Sequence, residues 1–275
     1  MMTYPDIDPI IFELGPLAVR WYGLMYLVGF GAFWALGVKR AKRADSPFRP
    51  EQIADMLFYG VLGVILGGRL GSMLFYNTAE FLSAPWTFFY IHQGGMSFHG
   101  GLLGVIVAMW WYGRRHDVGF WRFADFVAPL IPIGLGAGRI GNFINGELWG
   151  RPTDPEAFWA MVFPHVDSLA RHPSQLYQAA LEGLVLFLLL WLFSSRPRPA
   201  GSVAGLFLVA YGAFRFIVEF AREPDRNPDG SMYFLAFDWM TMGQLLSLPM
   251  ILFGLGLMVW AWRKAGNDDL KEAKS

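Results

Sequence analysis

Two stretches of this chain gather side chains that packing alone does not call for. The run Gly94-Gly95-Met96-Ser97-Phe98-His99-Gly100-Gly101-Leu102 sets one histidine among four glycines. Bare backbone there lets another chain or a ligand come close, and an imidazole with a pKa near neutrality can take a proton. The second stretch, Gly138 to Arg151, carries Arg139, Asn142, Asn145, Glu147 and Arg151 among glycines that include Gly150. It is too polar to span a membrane and too apolar for an ordinary loop. Guanidinium forks and amides on a glycine-shaped backbone suit a phosphate with neighbouring hydroxyls, because arginine stays charged at any depth. Tyr22, Arg69, Glu182, Arg215, Glu219 and Arg222 are further polar groups at or inside otherwise apolar runs. The chain has no cysteine, so any thiol chemistry must be brought by a substrate.

The elements that hold these groups follow from composition. Of 275 residues, 55% are hydrophobic and 16% charged, against about 25% charged in soluble domains, so the chain reads as a membrane protein. Basic and acidic residues balance at 22 each, which gives no footprint for nucleic acid. Seven apolar runs approach the roughly 20 residues needed to cross a bilayer: Trp21–Val38, Ile53–Tyr76, Gly95–Tyr112, Phe120–Gly138, Leu176–Phe193, Ser202–Phe220 and Gly243–Trp262. The expected fold is therefore all-α and polytopic, with about seven transmembrane helices. No repeat or linker divides it, so one domain over 1–275 is expected. Acidic Asp6, Asp8 and Glu13 precede the first run, the opposite of a basic signal-peptide start, and no cleavable signal is expected.

Orientation follows from the basic residues between runs. Lys39, Arg40, Lys42, Arg43, Arg49, Arg114, Arg115, Arg122, Arg196, Arg198, Arg263, Lys264, Lys271 and Lys274 crowd one set of connections, while Arg20, Arg139, Arg151, Arg171, Arg222 and Arg226 are spread over the other. This places the N-terminus outside and the C-terminus inside. The long connection at about 139–175 then faces the periplasm or outer surface. With a rise of about 1.5 Å per residue, Tyr22, Arg69, His99, Arg139, Glu182, Arg215, Glu219 and Arg222 share one outer layer, with Arg139 capping the fourth helix. Asp55 and Asp125 fall near the inner ends, where solvation accounts for them. The connection from Asn77 to Gln93, rich in Phe, Trp and Tyr, suits an interfacial segment, read as an aromatic belt or as a substrate contact.

Structural readings stand beside the functional ones. Arg215 and Glu219 have the spacing of a helical ion pair, Arg69 could snorkel to the surface, and Glu182 suits a buried hydrogen-bonding partner. His92, His116 and His165 have no polar company and read as loop residues. Yet an arginine near a helix centre costs about 2.5–3.5 kcal/mol on insertion scales. Several such placements on separate helices favour a water-accessible site for an anionic ligand.

At these motifs the chain resembles the prolipoprotein diacylglyceryl transferase family. The resemblance is carried by Trp21-Tyr22-Gly23-Leu24, the His99 run, Gly138 to Gly150, Arg171-His172-Pro173-Ser174-Gln175-Leu176-Tyr177, Arg215 with Glu219 and Arg222, and Met242-Gly243-Gln244. It implies a bacterial inner-membrane enzyme with its active site towards the periplasm. The implied reaction moves the diacylglyceryl group of phosphatidylglycerol onto the lipobox cysteine of a preprolipoprotein signal peptide, forms a thioether and releases glycerol phosphate. Neither metal nor cofactor is implied. His99 is then the candidate general base, with the alternative that an arginine or the lipid phosphate handles the proton and His99 positions substrate. Arg139 and Arg215 would grip the phosphate. Tyr22, Asn142 and Asn145 could hydrogen-bond the head group or orient His99, and Glu147 could orient an arginine. Gly150, Glu219, Arg222 and Arg69 complete the expected substrate-binding set. The competing class, a transporter for an anionic solute, is disfavoured because polar groups do not continue inward, no repeat is visible and no broken mid-membrane helix is evident.

Overall fold

Long apolar runs become helices because hydrocarbon offers no other partner for backbone N–H and C=O groups. In the computed structural model, residues 2–15, 17–90, 94–224, 232–237 and 239–272 are described; His92, Arg226 and Lys274 lie outside them. The chain begins with strand β1 (Met2–Thr3) and a hairpin of β2 (Ile10–Leu14) and β3 (Leu17–Arg20), then enters α1 (Trp21–Ala41), α2 (Gln52–Phe75) and the short α3 (Thr78–Ser83). It continues through α4 (Phe98–Arg115), α5 (Phe120–Val127), α6 (Pro132–Ile144), β4 (Met161–Val162), β5 (Ala170–Arg171), α7 (Ser174–Phe193), α8 (Ser202–Val218) and α9 (Met242–Glu272).

Each of the seven apolar runs carries helix, but with differences. Four helices, α1, α2, α7 and α9 to Asp268, are long and apolar enough to cross a membrane. A fifth candidate, Phe120–Leu130 with Pro132–Ile144, is broken rather than the single helix expected over Phe120–Gly138. Pro132 lacks an N–H and Pro129 precedes it by three residues, so the helical ladder is interrupted there. Past the break, α6 runs to Ile144 and ends on Asn145, whose N–H returns to the Gly141 carbonyl. Arg139 therefore sits inside a helix instead of capping one. A second irregularity is a π-helical stretch, Ala179–Val185, inside α7. The break before Pro132 corrects the expectation of unbroken helices, whereas α7 stays continuous through its π-helical stretch.

The chain also departs from all-α. β1 pairs in parallel with β4, and β4 pairs antiparallel with β5, Met161 lying opposite both Met2 and Arg171. Two-residue strands carry no periodicity from which to read them. Packing groups the residues into two compact units, 1–33 with 127–275, and 34–126. In the first, Leu186, Leu190, Val203 and Ala210 are buried together, and Tyr4, Met161 and Phe163 make a smaller cluster at the sheet. There the Tyr4 hydroxyl donates to the Ile144 carbonyl at 2.7 Å, tying the N-terminal arm to the end of α6.

In the second unit, α2 and α4 meet along Gly63, Gly67, Gly71, Gly100 and Gly104. A Cβ added at Gly67 would lie 2.8 Å from the Gly104 Cα, and one at Gly71 would lie 2.8 Å from the Gly100 Cα. The helices thus touch backbone to backbone, the small-residue packing that lipid-embedded pairs use where no hydrophobic drive exists. Phe48 packs edge-on against Phe123 and Phe126 at the other end of this unit, with ring centroids 4.9 and 5.2 Å apart.

Candidate functional site

The turn after α6 gives the first unit its polar ladder. Gly146 (φ +65°) and Leu148 (φ +59°) both adopt left-handed backbone, which leucine rarely does. The Glu147 N–H bonds the Asn142 carbonyl at 3.0 Å, so the chain folds back over its own helix. That return sets the Glu147 carboxylate to accept from Asn142 Nδ2 at 2.8 Å and from Asn145 Nδ2 at 3.4 Å. Asn142 Oδ1 in turn accepts from Arg139 Nη1 at 3.4 Å. Arg139 Nε lies 3.9 Å from Glu182 Oε2 in the π-helical stretch of α7. Asn142 and Glu182 are buried, Arg139 and Glu147 are half-buried, and Asn145 is exposed.

Gly150 holds the far end of this turn. Its N–H donates to the His172 carbonyl at 2.9 Å and its carbonyl accepts from Arg171 Nη1 at 3.0 Å. An added Cβ would lie 2.5 Å from the Ala221 carbonyl oxygen and 2.7 Å from the His172 Cβ, so only glycine fits between the two segments. Arg171 is buried and ion-paired with Asp167 at 2.6 Å and with Glu223. Gln175 Nε2 and Ser174 Oγ donate to the carbonyls of Glu147 at 2.7 Å and Leu148 at 3.1 Å, which fastens the start of α7 under the turn. The His172 imidazole contacts the Tyr177 hydroxyl at 3.2 Å. Burial, with the Arg151 charge second, pushes its pKa below the usual histidine value.

A second group closes on Glu219 at the end of α8. Its carboxylate, 2% exposed, is 2.5 Å from Arg215 Nη1 and 3.7 Å from Arg222 Nη1, and accepts from the Thr241 hydroxyl at 3.0 Å. Gly243 leaves room for it, since a Cβ there would lie 2.8 Å from the Glu219 carboxyl carbon. Arg151 donates to the carbonyls of Arg222 at 2.8 Å and Glu219 at 3.1 Å and so ties this end of α8 to the Gly150 turn. The two groups are one electrostatic cluster, because Arg139, Arg215 and Arg222 all act on the Glu182 carboxylate. The Tyr22 ring packs on α6, where a Cβ on Gly141 would meet its Cδ2 at 2.9 Å.

Tyr211 was missed by the sequence reasoning. Its phenol is within electrostatic reach of Glu182, Arg215 and Arg139. It stands one helical turn before Arg215 on the same face of α8, a spacing of four residues that could have found it.

Arg69 and His99 belong to the second unit. Arg69 is buried, and it donates through Nε to the Phe88 carbonyl at 3.1 Å, through Nη2 to Thr87 at 2.6 Å, and through Nη1 to Gly95 at 3.1 Å and to Gly94. Four of its bonds are thus spent on the loop before α4, in which Gly94 and Gly95 have φ of +80° and +73°. Ser97 caps α4 by accepting from the Gly100 N–H at 3.2 Å, and its own N–H bonds the Gly68 carbonyl at 2.9 Å. His99 follows in the first turn of α4 with an exposed imidazole, edge-on to Phe98 at 5.7 Å. Within the Asn77–Gln93 connection, Trp86 and Phe89 are exposed, and residues 91–93 fall outside the described part. Among the described residues no group of three or more His, Cys, Asp or Glu could hold a metal ion.

Residues 9–260 match the family described as Prolipoprotein diacylglyceryl transferase. The chain is 56% identical over 264 residues to the phosphatidylglycerol–prolipoprotein diacylglyceryl transferase of Pseudomonas paraeruginosa, covering 96% of this chain and 97% of that protein. It is 59% identical over 264 residues to the protein of that name from Pseudoalteromonas atlantica, covering 95% and 92%. A third relative of the same name, from Pseudomonas fluorescens, is 54% identical over 267 residues, covering 96% and 97%.

Proposed function

Starting from the fact that the chain belongs to the prolipoprotein diacylglyceryl transferase family, we propose how its residues carry out the transfer from phosphatidylglycerol to the lipobox cysteine of a preprolipoprotein. The cysteine thiolate attacks the glycerol C3 carbon, a C–S bond forms, and the C3–O bond to phosphate breaks. The electron pair leaves on the phosphate oxygen as glycerol phosphate. The thiol proton goes to a base, and His99 is that base in this reading: its imidazole is exposed at the capped end of α4, behind a loop that Arg69 holds in place. Arg69 then serves the loop rather than the phosphate, since most of its N–H bonds are already used.

Charge builds on the leaving phosphate, so the barrier depends on donors set in advance around it. Arg139 and Arg215 are those donors. Tyr22, Asn142 and Asn145 line the head-group side, Glu147 holds the two amides, and Glu219 with Arg222 orients Arg215. Gly150 keeps the turn closed. The observation that carries this reading is the gathering of three arginines at two buried carboxylates, Arg139 at Glu182 and Arg215 with Arg222 at Glu219, from segments far apart in sequence. Such a cluster is ready for an anionic ligand in a place where arginine would otherwise be expelled.

Seven transmembrane crossings, with the N-terminus out and the C-terminus in, are part of this proposal, as are one domain over 1–275, a bacterial inner-membrane location and a periplasmic face for the 139–175 connection. The positive-inside distribution supports the orientation. Phosphatidylglycerol then enters from the bilayer and meets a membrane-inserted signal peptide at the outer rim. Incubating the purified protein with phosphatidylglycerol and a lipobox peptide tests the whole reading. Mass spectrometry should find a diacylglyceryl thioether and released glycerol phosphate, with both lost in Arg139→Ala. Retention of product by that variant overturns the assignment of the phosphate site.

A further inference from the structure

Glu182 is the most deeply buried carboxylate of the cluster, at 1% exposure. An ionised carboxylate in such a place is tolerated only when it is paired and hydrogen-bonded. Two groups meet it directly. Gln178 Nε2 donates to Oε1 at 3.4 Å, and Arg139 Nε stands 3.9 Å from Oε2.

The backbone around it is built for this approach. Gly183, the next residue, touches Gly136 of α6: a Cβ on Gly183 would lie 2.7 Å from the Gly136 Cα, and one on Gly136 would lie 3.0 Å from the Gly183 Cα. Arg139 is one helical turn beyond Gly136, so the glycine contact sets the distance between the two charges. Glu182 also lies inside the π-helical stretch Ala179–Val185. Such stretches are rare, cost regular hydrogen bonding and gather at functional sites.

Arg139 is thereby held at two points, with Nε towards Glu182 and Nη1 on Asn142. One edge of the guanidinium thus faces a carboxylate and an amide oxygen, which leaves its other N–H groups for a ligand. We propose that Glu182 is a positioning residue for the transfer, aiming the Arg139 guanidinium at the leaving phosphate. The inference rests on the reading of Arg139 as the phosphate ligand.

Charge gives it a signature that a merely structural role lacks. The Glu182 carboxylate competes with phosphate for the guanidinium. Removing its charge frees Arg139 to bind the ground-state lipid at least as well, while the aim needed in the transition state is lost. In Glu182→Gln the KM for phosphatidylglycerol should stay level or fall, and kcat per folded molecule should fall tenfold or more. Glu182→Asp, which keeps the charge on a shorter arm, should show an unchanged KM and an intermediate kcat, and it carries the test alone if the glutamine variant does not fold. Wild type and Arg139→Ala run alongside. If Arg139→Ala retains activity, the phosphate reading fails. If Arg139→Ala is inactive while both Glu182 variants match wild-type kcat, or lose kcat only with a raised KM, the positioning inference alone is overturned.

Discussion

Asn142 must be an amide, and Asn142→Asp tests why. Its Oδ1 accepts from Arg139 while Nδ2 donates to Glu147 at 2.8 Å. Aspartate keeps the shape but turns the donor into an anion facing an anion. At 2.8 Å and an effective dielectric of about 20, Coulomb's law gives roughly 6 kcal/mol of repulsion. Relaxation or proton uptake by one carboxyl lowers this, and if the displaced Arg139 loses about half of it as transition-state stabilisation, the rate falls about 100-fold. The new charge also occupies Arg139, which strengthens the effect on phosphate binding. Asn142→Asp should therefore lose about two orders of magnitude in turnover, measured as thioether formed per folded enzyme in nanodiscs. Adding Glu147→Gln restores a donor opposite the new aspartate and should recover at least tenfold. Full activity in the single variant, or no recovery in the double, would refute the amide-relay argument.

Three further outcomes follow from the geometry. Gly67→Ala puts a Cβ 2.8 Å from the Gly104 Cα, an overpacking worth about 1–3 kcal/mol; a lower Tm with slower turnover is expected, and an unchanged pair of values would show that the seam yields. In Arg69→Lys a single ammonium replaces a fork that reaches four carbonyls, and each one left buried and unpaired costs about 1–3 kcal/mol. Hydrogen exchange over residues 84–90 and 94–96 should speed up, and wild-type protection would count against the role of Arg69 in the loop. The His172 pKa is depressed in the folded protein, so the unfolded chain binds more protons and stability is lost as pH falls below about 6.5. His172→Gln should flatten the dependence of Tm on pH between about 7 and 5, and parallel curves for the two proteins would contradict that account.

Hydropathy made α1, α2 and α7 legible almost to their ends, because each fills its length with apolar residues that need a backbone partner. It did not find the break before Pro132, since Pro129 and Pro132 lie inside a run whose apolar character is uninterrupted. For the same reason Arg139 read as a cap: the polar residues after it suggested a loop, whereas the α6 ladder continues to Ile144. The candidate site residues were legible as unfavourable placements, and the Arg215–Glu219 pair was legible from its spacing, but the approach of Arg139 to Asn142 and Glu182 was not. Nothing in the spacing of Asn142 and Glu147 tells that a left-handed Leu148 turns the chain back, and the Gly136–Gly183 approach joins helices that sequence order keeps apart. Arg69 stood out in the sequence, but its main-chain partners, the carbonyls of Thr87, Phe88, Gly94 and Gly95, could not be read from it.

The ladder from Arg139 through Asn142 to Glu147 acts as an electrical insulator. A guanidinium that does not give up its proton and an accepting carboxylate stand at its two ends, and the carboxamide between them passes a dipole along but relays no proton. The two poles thus face each other across a group that keeps them apart. In the proposed transfer, the thiol proton does not cross this amide from one pole to the other. The amide stands between guanidinium and carboxylate as a dielectric stands between the plates of a capacitor.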